Sequence, residues 1–293
     1  MARALSRVIA PGRLTVIVNV GDDDFIYGVH VAADLDTVTY TLAGIEGPQG
    51  WGIADDTFHV MEEMAARGVD TSFRLGDKDL ATCLRRTEAL RKGTSLSSFT
   101  RDLGLSLGTD ICIVPATDDQ MRTMVNLPDG RTISFQEYFV RRKHQDVVRA
   151  LEYVSAADSR PAPGVLEAIG AADLIVVAPS NPPLSIWPIL AVPGIRDAVA
   201  DARPVVAVSP LFGGKAVKGP AEKVMASLGL PAGTQGVLKA YEGLLEMLVV
   251  DSADVVDEKL STATTRVVAH DTRIADPAAG GAFASWLVDT MAP

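Results

Sequence analysis

The sequence predicts an α/β protein of three layers: a Rossmann-like, mostly parallel sheet covered by helices on both faces, with a small β-rich inserted subdomain. Three observations predict it. Short β-branched runs alternate with longer stretches of helical period, the pattern of a sheet buried on both sides. Between residues 116 and 159 the texture changes to that of a hairpin. A chain of 293 residues, 47% hydrophobic and 22% charged, has enough apolar residues for a large core.

In chain order, the first expected strand is Leu14–Val20. A helix follows over Asp56–Gly68, with Phe58, Val60, Met61 and Met64 at helical spacing before a terminating glycine. Gly76-Asp77 opens another helix, which carries Arg85 and Arg86. The next strand is Asp110–Pro115. Met121–Leu127 and Arg131–Phe135 then flank Pro128-Asp129-Gly130, a tight-turn signal. Ala157–Gly164, with its two prolines, returns the chain to the main sheet, so residues 1–115 and 160–293 are expected to form the core and 116–159 the insertion. The remaining strands are Asp173–Ala178, Val205–Ser209, Met247–Val250 and Thr265–Ala269, with helices over Ile186–Ala202, broken by prolines, and Pro220–Leu228.

Bulk properties exclude several classes. A net charge of −10 opposes non-specific nucleic-acid binding, which depends on neutralising phosphates. No apolar run approaches the roughly 18 residues of a membrane helix, and the N-terminus lacks the plan of a signal peptide, so no membrane partner and a cytoplasmic location are expected. Cys83 and Cys112 form no Cys-x-x-Cys pair, and the four histidines do not cluster. No Gly-rich dinucleotide fingerprint with an acidic residue about 20 positions later supports a dehydrogenase.

Three constellations carry chemistry. After the first strand come Asp22, Asp23 and Asp24, then Asp34 and Asp36. In an open parallel sheet the loops after strand ends line the ligand crevice, which suits these carboxylates to a divalent metal, Mg²⁺ above all. Asp34 and Asp36 point the same way if the segment is extended; a solvated acidic turn with Asp34 capping a helix is the plain alternative. The second constellation runs from Trp51-Gly52 through Asp55-Asp56-Thr57-Phe58 to Gly76-Asp77-Lys78-Asp79, where a helix start with nearby cations could organise phosphate or a polar ring substituent. The third pairs two successive strand ends. Ala178-Pro179-Ser180-Asn181-Pro182-Pro183 is a proline-stiffened polar loop. Ser209-Pro210-Leu211-Phe212-Gly213-Gly214-Lys215-Ala216-Val217-Lys218 supplies glycines for close approach and lysines for phosphate. Together the two loops read as a nucleotide pocket.

The blocks VNVGDD (Val18–Asp23), DLDT (Asp34–Thr37), WG (Trp51-Gly52), DDTF (Asp55–Phe58), LGDKDLAT (Leu75–Thr82), PATDD (Pro115–Asp119), FQEYFV (Phe135–Val140), APSNP (Ala178–Pro182) and the Ser209–Ala221 loop resemble, in order, those of the 2-phospho-L-lactate transferases, the bacterial phosphoenolpyruvate transferase branch above all. The resemblance implies a Mg²⁺-dependent enzyme of coenzyme F(420) biosynthesis. Such an enzyme moves a phospholactyl or phosphoenolpyruvyl group from its guanosine diphospho derivative to the ribityl hydroxyl of the deazaflavin FO and releases GMP. Asp36, with Asp34 or Asp22, would then hold Mg²⁺ or orient the hydroxyl; Asp36, Lys78 and Thr37 would contact FO; Ser180, Asn181, Pro182, Ser209, Lys215 and Lys218 would meet the guanosine diphosphate. A homodimer fits the family. Members of the family begin with a strand and a GG-x-G phosphate loop, and no segment of that form stands before Ala4-Leu5-Ser6. A translation start placed downstream of the true one is the favoured expectation, with loss of the element as its rival. The competing functional class is a non-catalytic nucleotide- or metabolite-binding regulator of the same superfamily, resembling gluconeogenesis factors.

Overall fold

The structure, a computed structural model, describes residues 1–216, 219–254 and 260–291. A short helix α1 (Ala2–Leu5) leads to strand β1 (Thr15–Val18) and then to the hairpin of β2 (Asp24–Ile26) and β3 (Val29–Val31). Tyr27 and Gly28, the two residues between those strands, both have positive φ (53° and 80°), as a type I′ hairpin turn requires. Helices α2 (Ala33–Leu42), α3 (His59–Ala66), α4 (Asp77–Arg91) and α5 (Leu96–Ser106) precede β4 (Cys112–Pro115), which pairs in parallel with β1 from Thr15↔Cys112 to Val18↔Pro115.

Strands β5 (Arg122–Asn126), β6 (Thr132–Ser134) and β7 (Ala150–Val154) form an antiparallel sheet in the order β6-β5-β7. Pro128-Asp129-Gly130 makes the β5–β6 turn: Gly130 has φ 89°, and the Leu127 N–H donates to the Arg131 carbonyl at 2.8 Å. This sheet has its own apolar cluster of Val125, Leu127, Ile133, Tyr138 and Val148, closed by Leu184 and Val224.

The second half builds the larger sheet. In order come α6 (Val165–Gly170), β8 (Ile175–Val177), α7 (Trp187–Ala191), α8 (Ile195–Asp201) and β9 (Val205–Val208), then the small hairpin β10 (Leu211–Phe212)–β11 (Lys215–Ala216). Helices α9 (Ala221–Ser227) and α10 (Thr234–Ala240) lead to β12 (Met247–Asp251), β13 (Arg266–His270) and α11 (Pro277–Met291). The four main strands run parallel in the order β13-β12-β9-β8.

Strand periodicity decides which residue meets which layer. On β9, Val205 and Ala207 join a cluster with Val165, Ile169, Ile195, Val199 and Val237 from α6, α8 and α10. Val206 and Val208 point the other way, onto Phe283 and Leu287 of α11. Each such fully buried side chain contributes roughly 1.5–3 kcal/mol. Helices therefore cover both faces, and the fold is the predicted Rossmann-like α/β arrangement. β1–β4 forms a separate ladder from β8–β9–β12–β13, although Val16, Ile17, Ile175 and Val177 pack against one apolar cluster. The expected Ile186–Ala202 helix is two helices, because Pro193 and Gly194 (φ 86°) break it. No helix among the described residues is long and apolar enough to cross a membrane.

Candidate active site

The acidic loop leaves β1 and turns inward. Asn19 accepts the Gly21 N–H on Oδ1 at 2.8 Å and donates from Nδ2 to Asp34 Oδ2 at 3.0 Å. One amide side chain thus folds the loop and ties it to α2. Asp22 and Asp23 follow at only 6% and 8% exposure, and Asp22 Oδ1 and both Asp23 carboxylate oxygens are buried without a hydrogen-bond partner. Buried acceptors left without donors are costly. Burial, then the charge of Asp34, push the Asp22 carboxyl well above its ordinary range. Burial does the same for Asp23, against the opposing pull of Arg86.

Asp34 and Asp36 stand in the first turn of α2, where carboxylates suit the helix dipole. The extended segment that would point them the same way is not formed: two residues apart on a helix, they diverge by more than half a turn. Nor does Asp34 cap the helix, whose N-cap position is Ala32. Asp34 faces Asn19, whereas Asp36 (5% exposed) is gripped by Arg86 Nη2. Arg86, on α4 and 1% exposed, also donates from Nη1 to the His30 carbonyl at 3.1 Å, and its guanidinium carbon lies 5.4 Å from the Phe99 ring centroid. Burial, then Arg86 and Arg122, lower the His30 pKa to about 4, so the ring is neutral 3.7 Å from Asp23 Oδ2. Beyond Asp36, Asp79 accepts the Tyr40 hydroxyl at 2.9 Å, and Asp36, Asp79 and Cys83 have ligand-type atoms within 4.8 Å of one another. The sequence groups Arg86 with the helix cations expected to organise phosphate or a polar ring substituent; the structure instead buries it beside Thr82, Cys83 and Thr87 and turns it onto Asp36.

The DDTF and LGDKD blocks prove to be reciprocal helix caps. Asp56 accepts the Lys78 and Asp79 N–H groups at 2.9 and 3.1 Å, satisfying the start of α4. Asp77 accepts the His59 and Val60 N–H groups at 3.0 and 3.1 Å and the Thr57 hydroxyl at 2.6 Å, satisfying α3. Gly76 is required here, since a Cβ would lie 2.0 Å from Asp56 Oδ2. The exposed Lys78 ammonium donates to the Asp55 and Ala54 carbonyls at 3.0 and 3.4 Å, one residue from Asp79, and Thr37 is half-buried beside Asp36.

At the carboxyl ends of β8 and β9, neighbours in the sheet, lie the two remaining loops. Asn181 caps a π-helical turn over Pro182–Ile186, its Oδ1 accepting the Leu184 N–H at 3.4 Å while its Nδ2 is buried without a partner. Ser180 and Pro182 flank it, the first half-buried and the second buried. Ser209 is buried, its hydroxyl oxygen accepting the Leu211 N–H at 3.2 Å. Lys215 is exposed on β11, and Lys218 lies outside the described residues. Farther along the same sheet edge, Phe212, Gly213, Asp251, Ser252, Ala253 and Arg273 line an open cavity of about 410 Å³.

The antiparallel sheet joins the acidic loop to the loop after β8. The Thr123 N–H donates to the Gly21 carbonyl at 2.7 Å, Gln136 Nε2 to the Asp22 carbonyl at 2.8 Å, and the Tyr153 hydroxyl to the Pro183 carbonyl at 2.6 Å. Pro188 of α7 closes against Gly21, whose ideal Cβ position is 3.2 Å from Pro188 Cβ. Unpartnered acceptors on one side and an unpartnered donor on the other therefore belong to adjoining loops.

Comparison with known proteins shows the family. The profile of the family described as 2-phospho-L-lactate transferase CofD matches residues 1–280. The phosphoenolpyruvate transferase of Streptomyces coelicolor is 46% identical over 259 residues, covering 86% of this chain and 81% of that protein. That of Thermobifida fusca is 42% identical over 286 residues, covering 96% and 88%. In fold, the chain is similar to a crystal structure of a UPF0052 family member from Bacillus halodurans, with TM-score 0.66 and 15% identity over 98% of this chain and 94% of that one.

Proposed function

We propose a specific transfer for this chain, which belongs to the 2-phospho-L-lactate transferase (CofD) family. It is a transferase of coenzyme F(420) biosynthesis, acting on a phosphoenolpyruvyl or phospholactyl group. In the reaction we propose, the ribityl hydroxyl of the deazaflavin FO attacks the phosphorus that carries the lactyl or enolpyruvyl ester of a guanosine diphospho donor. The new P–O bond replaces the anhydride bond, GMP leaves, and the hydroxyl proton passes to a carboxylate and on to solvent.

The observation that carries this reading is the pairing of unpartnered buried groups across adjoining loops: Asp22 and Asp23 oxygens on one side, Asn181 Nδ2 on the other. The orphaned oxygens fit a divalent cation, and the buried amide fits a phosphate or base acceptor. Asp22 with Asp34 beside it would hold Mg²⁺, which when bound supplies positive charge to the oxygens of the transferring group. Asp36 orients the acceptor hydroxyl, with Lys78 and Thr37 at the rim near FO. Asn181, with Ser180 and Pro182, positions the donor diphosphate; Ser209 and Lys215 continue the nucleotide contacts, and the cavity beside Phe212 is large enough for part of the nucleoside. Phosphoryl transfer depends mainly on alignment and charge neutralisation, so rigid loops with preset donors and acceptors suit it.

GMP release from FO plus the guanosine diphospho donor tests the proposal. Wild-type chain with Mg²⁺ should release GMP and Asp36→Asn should not. No release at any Mg²⁺ concentration would instead favour a nucleotide-binding regulator.

A further inference from the structure

The buried acidic cluster holds more carboxylates than its internal donors neutralise, and the way they are shared singles one out. Asp23, Asp36 and Asp79 feel the charge of one buried guanidinium, Arg86, whereas Asp22 feels its neighbours Asp34 and Asp23. That guanidinium makes a direct ion pair with Asp36 alone, and it is fixed from behind by the His30 carbonyl at 3.1 Å. Asn19 supplies one neutral hydrogen bond, to Asp34. The oxygens left without any donor are on Asp22 and Asp23, at least nine-tenths buried. Divergence of Asp34 and Asp36 around α2 separates the two sets in space.

We propose that Arg86 is a positioning residue that withdraws Asp36 from the cation site. It holds that carboxylate fixed toward the acceptor hydroxyl and leaves Asp22, Asp23 and Asp34 to bind the cation. The assignment rests on the reading that this cluster binds a divalent cation. A buried arginine beside a cation site is a fixed positive charge that repels the ion from its own partner, so one carboxylate can be reserved for the substrate while its neighbours bind metal. Arg86 touches no substrate in this scheme and acts through Asp36.

Calorimetric titration of Mn²⁺ into the full chain, without substrates, tests it. Arg86→Gln frees a carboxylate beside the site and should tighten Mn²⁺ binding about five- to tenfold or admit a second ion, while kcat for GMP release falls. The double variant Arg86→Gln/Asp36→Asn removes the ion pair as a unit and leaves the net charge of the cluster unchanged, so it should bind Mn²⁺ within about threefold of wild type, a difference under 1 kcal/mol by the tenfold-per-1.4 kcal/mol conversion. Asp22→Asn should weaken it by tenfold or more. If the double variant loses Mn²⁺ binding as Asp22→Asn does, Asp36 is a ligand and the Arg86 assignment is overturned while the cation reading stands. A wild-type chain that takes up no Mn²⁺ overturns both.

Discussion

Replacing Gly21 by alanine should damage this protein out of proportion to one methyl group. The Cβ would lie 2.4 Å from Thr123 Oγ1, 3.1 Å from Asn19 Oδ1 and 3.2 Å from Pro188 Cβ. Ordinary contacts between heavy atoms are about 3.5–4.0 Å, so the nearest clash is roughly 1 Å. Thr123 is 1% exposed and sits in the middle strand of the antiparallel sheet, so relief requires either its hydroxyl to rotate within packed surroundings or the acidic loop to move. Overpacking of this kind costs about 1–3 kcal/mol, and a loop shift of ~1 Å between reacting groups can cost about a hundredfold in rate. Gly21→Ala should therefore lower the denaturant midpoint by an amount equivalent to about 1–3 kcal/mol and reduce kcat/KM for GMP release by one to two orders of magnitude. Thr123→Ala in the same chain removes the nearest atom and should restore about 1 kcal/mol of that loss by a double-mutant cycle. Wild-type midpoint and rate in Gly21→Ala, or no coupling to Thr123, would refute the account of a seam closed too tightly for a side chain.

Asp56→Ala removes the cap of α4 and should cost about 1 kcal/mol in thermal or chemical unfolding; a change below about 0.3 kcal/mol would argue against the reciprocal caps. Asn181→Ala should weaken GDP binding about ten- to 150-fold by calorimetry, the worth of one hydrogen bond to a charged acceptor, and equal affinity would remove Asn181 from the donor site. Stability without divalent cations should fall as pH rises. Burial first, then Asp36, raise Asp79 to about 6, above an unfolded value near 4, so the folded state binds the extra proton and the loss runs from about pH 4 to pH 6. Asp22, Asp23, Asp34 and Asp36 are shifted the same way by burial. Asp79→Asn should recover on the order of 2 kcal/mol at pH 7, and an unchanged pH profile of melting would contradict this.

Parallel strands were legible because short, buried, valine-rich apolar runs such as Val205–Val208 and Met247–Val250 have no polar face. Pro128-Asp129-Gly130 announced its hairpin through turn chemistry alone. The helical setting of Asp34 and Asp36 was not legible: α2 lacks a side-chain cap, and its Asp-Leu-Asp-Thr-Val-Thr-Tyr-Thr stretch is rich in residues of weak helix propensity. Tertiary packing of Leu35, Thr39 and Tyr40 overrides that preference. Arg86 was legible as a helix cation but not as the buried partner of Asp36, because a charge on a helix is ordinarily solvated, and only the fold brings α2 to it across 50 residues. Lys78 was readable as a helix-start cation, but its attachment to the Asp55 carbonyl depends on how the preceding loop folds back.

The three hydrogen bonds that reach Gly21, Asp22 and Pro183 from Thr123, Gln136 and Tyr153 tie catalytic competence to the docking of the antiparallel sheet. Local opening of this junction would part the acidic loop from the loop after β8 while the ladder of the four-stranded sheet stays hydrogen-bonded. The active fraction would then follow the local opening equilibrium, and apparent ligand affinity would fall with the share of molecules in which the junction is open. Heating would silence the enzyme before it unfolds it, and exchange of the Thr123 amide hydrogen with solvent would report the temperature at which that happens.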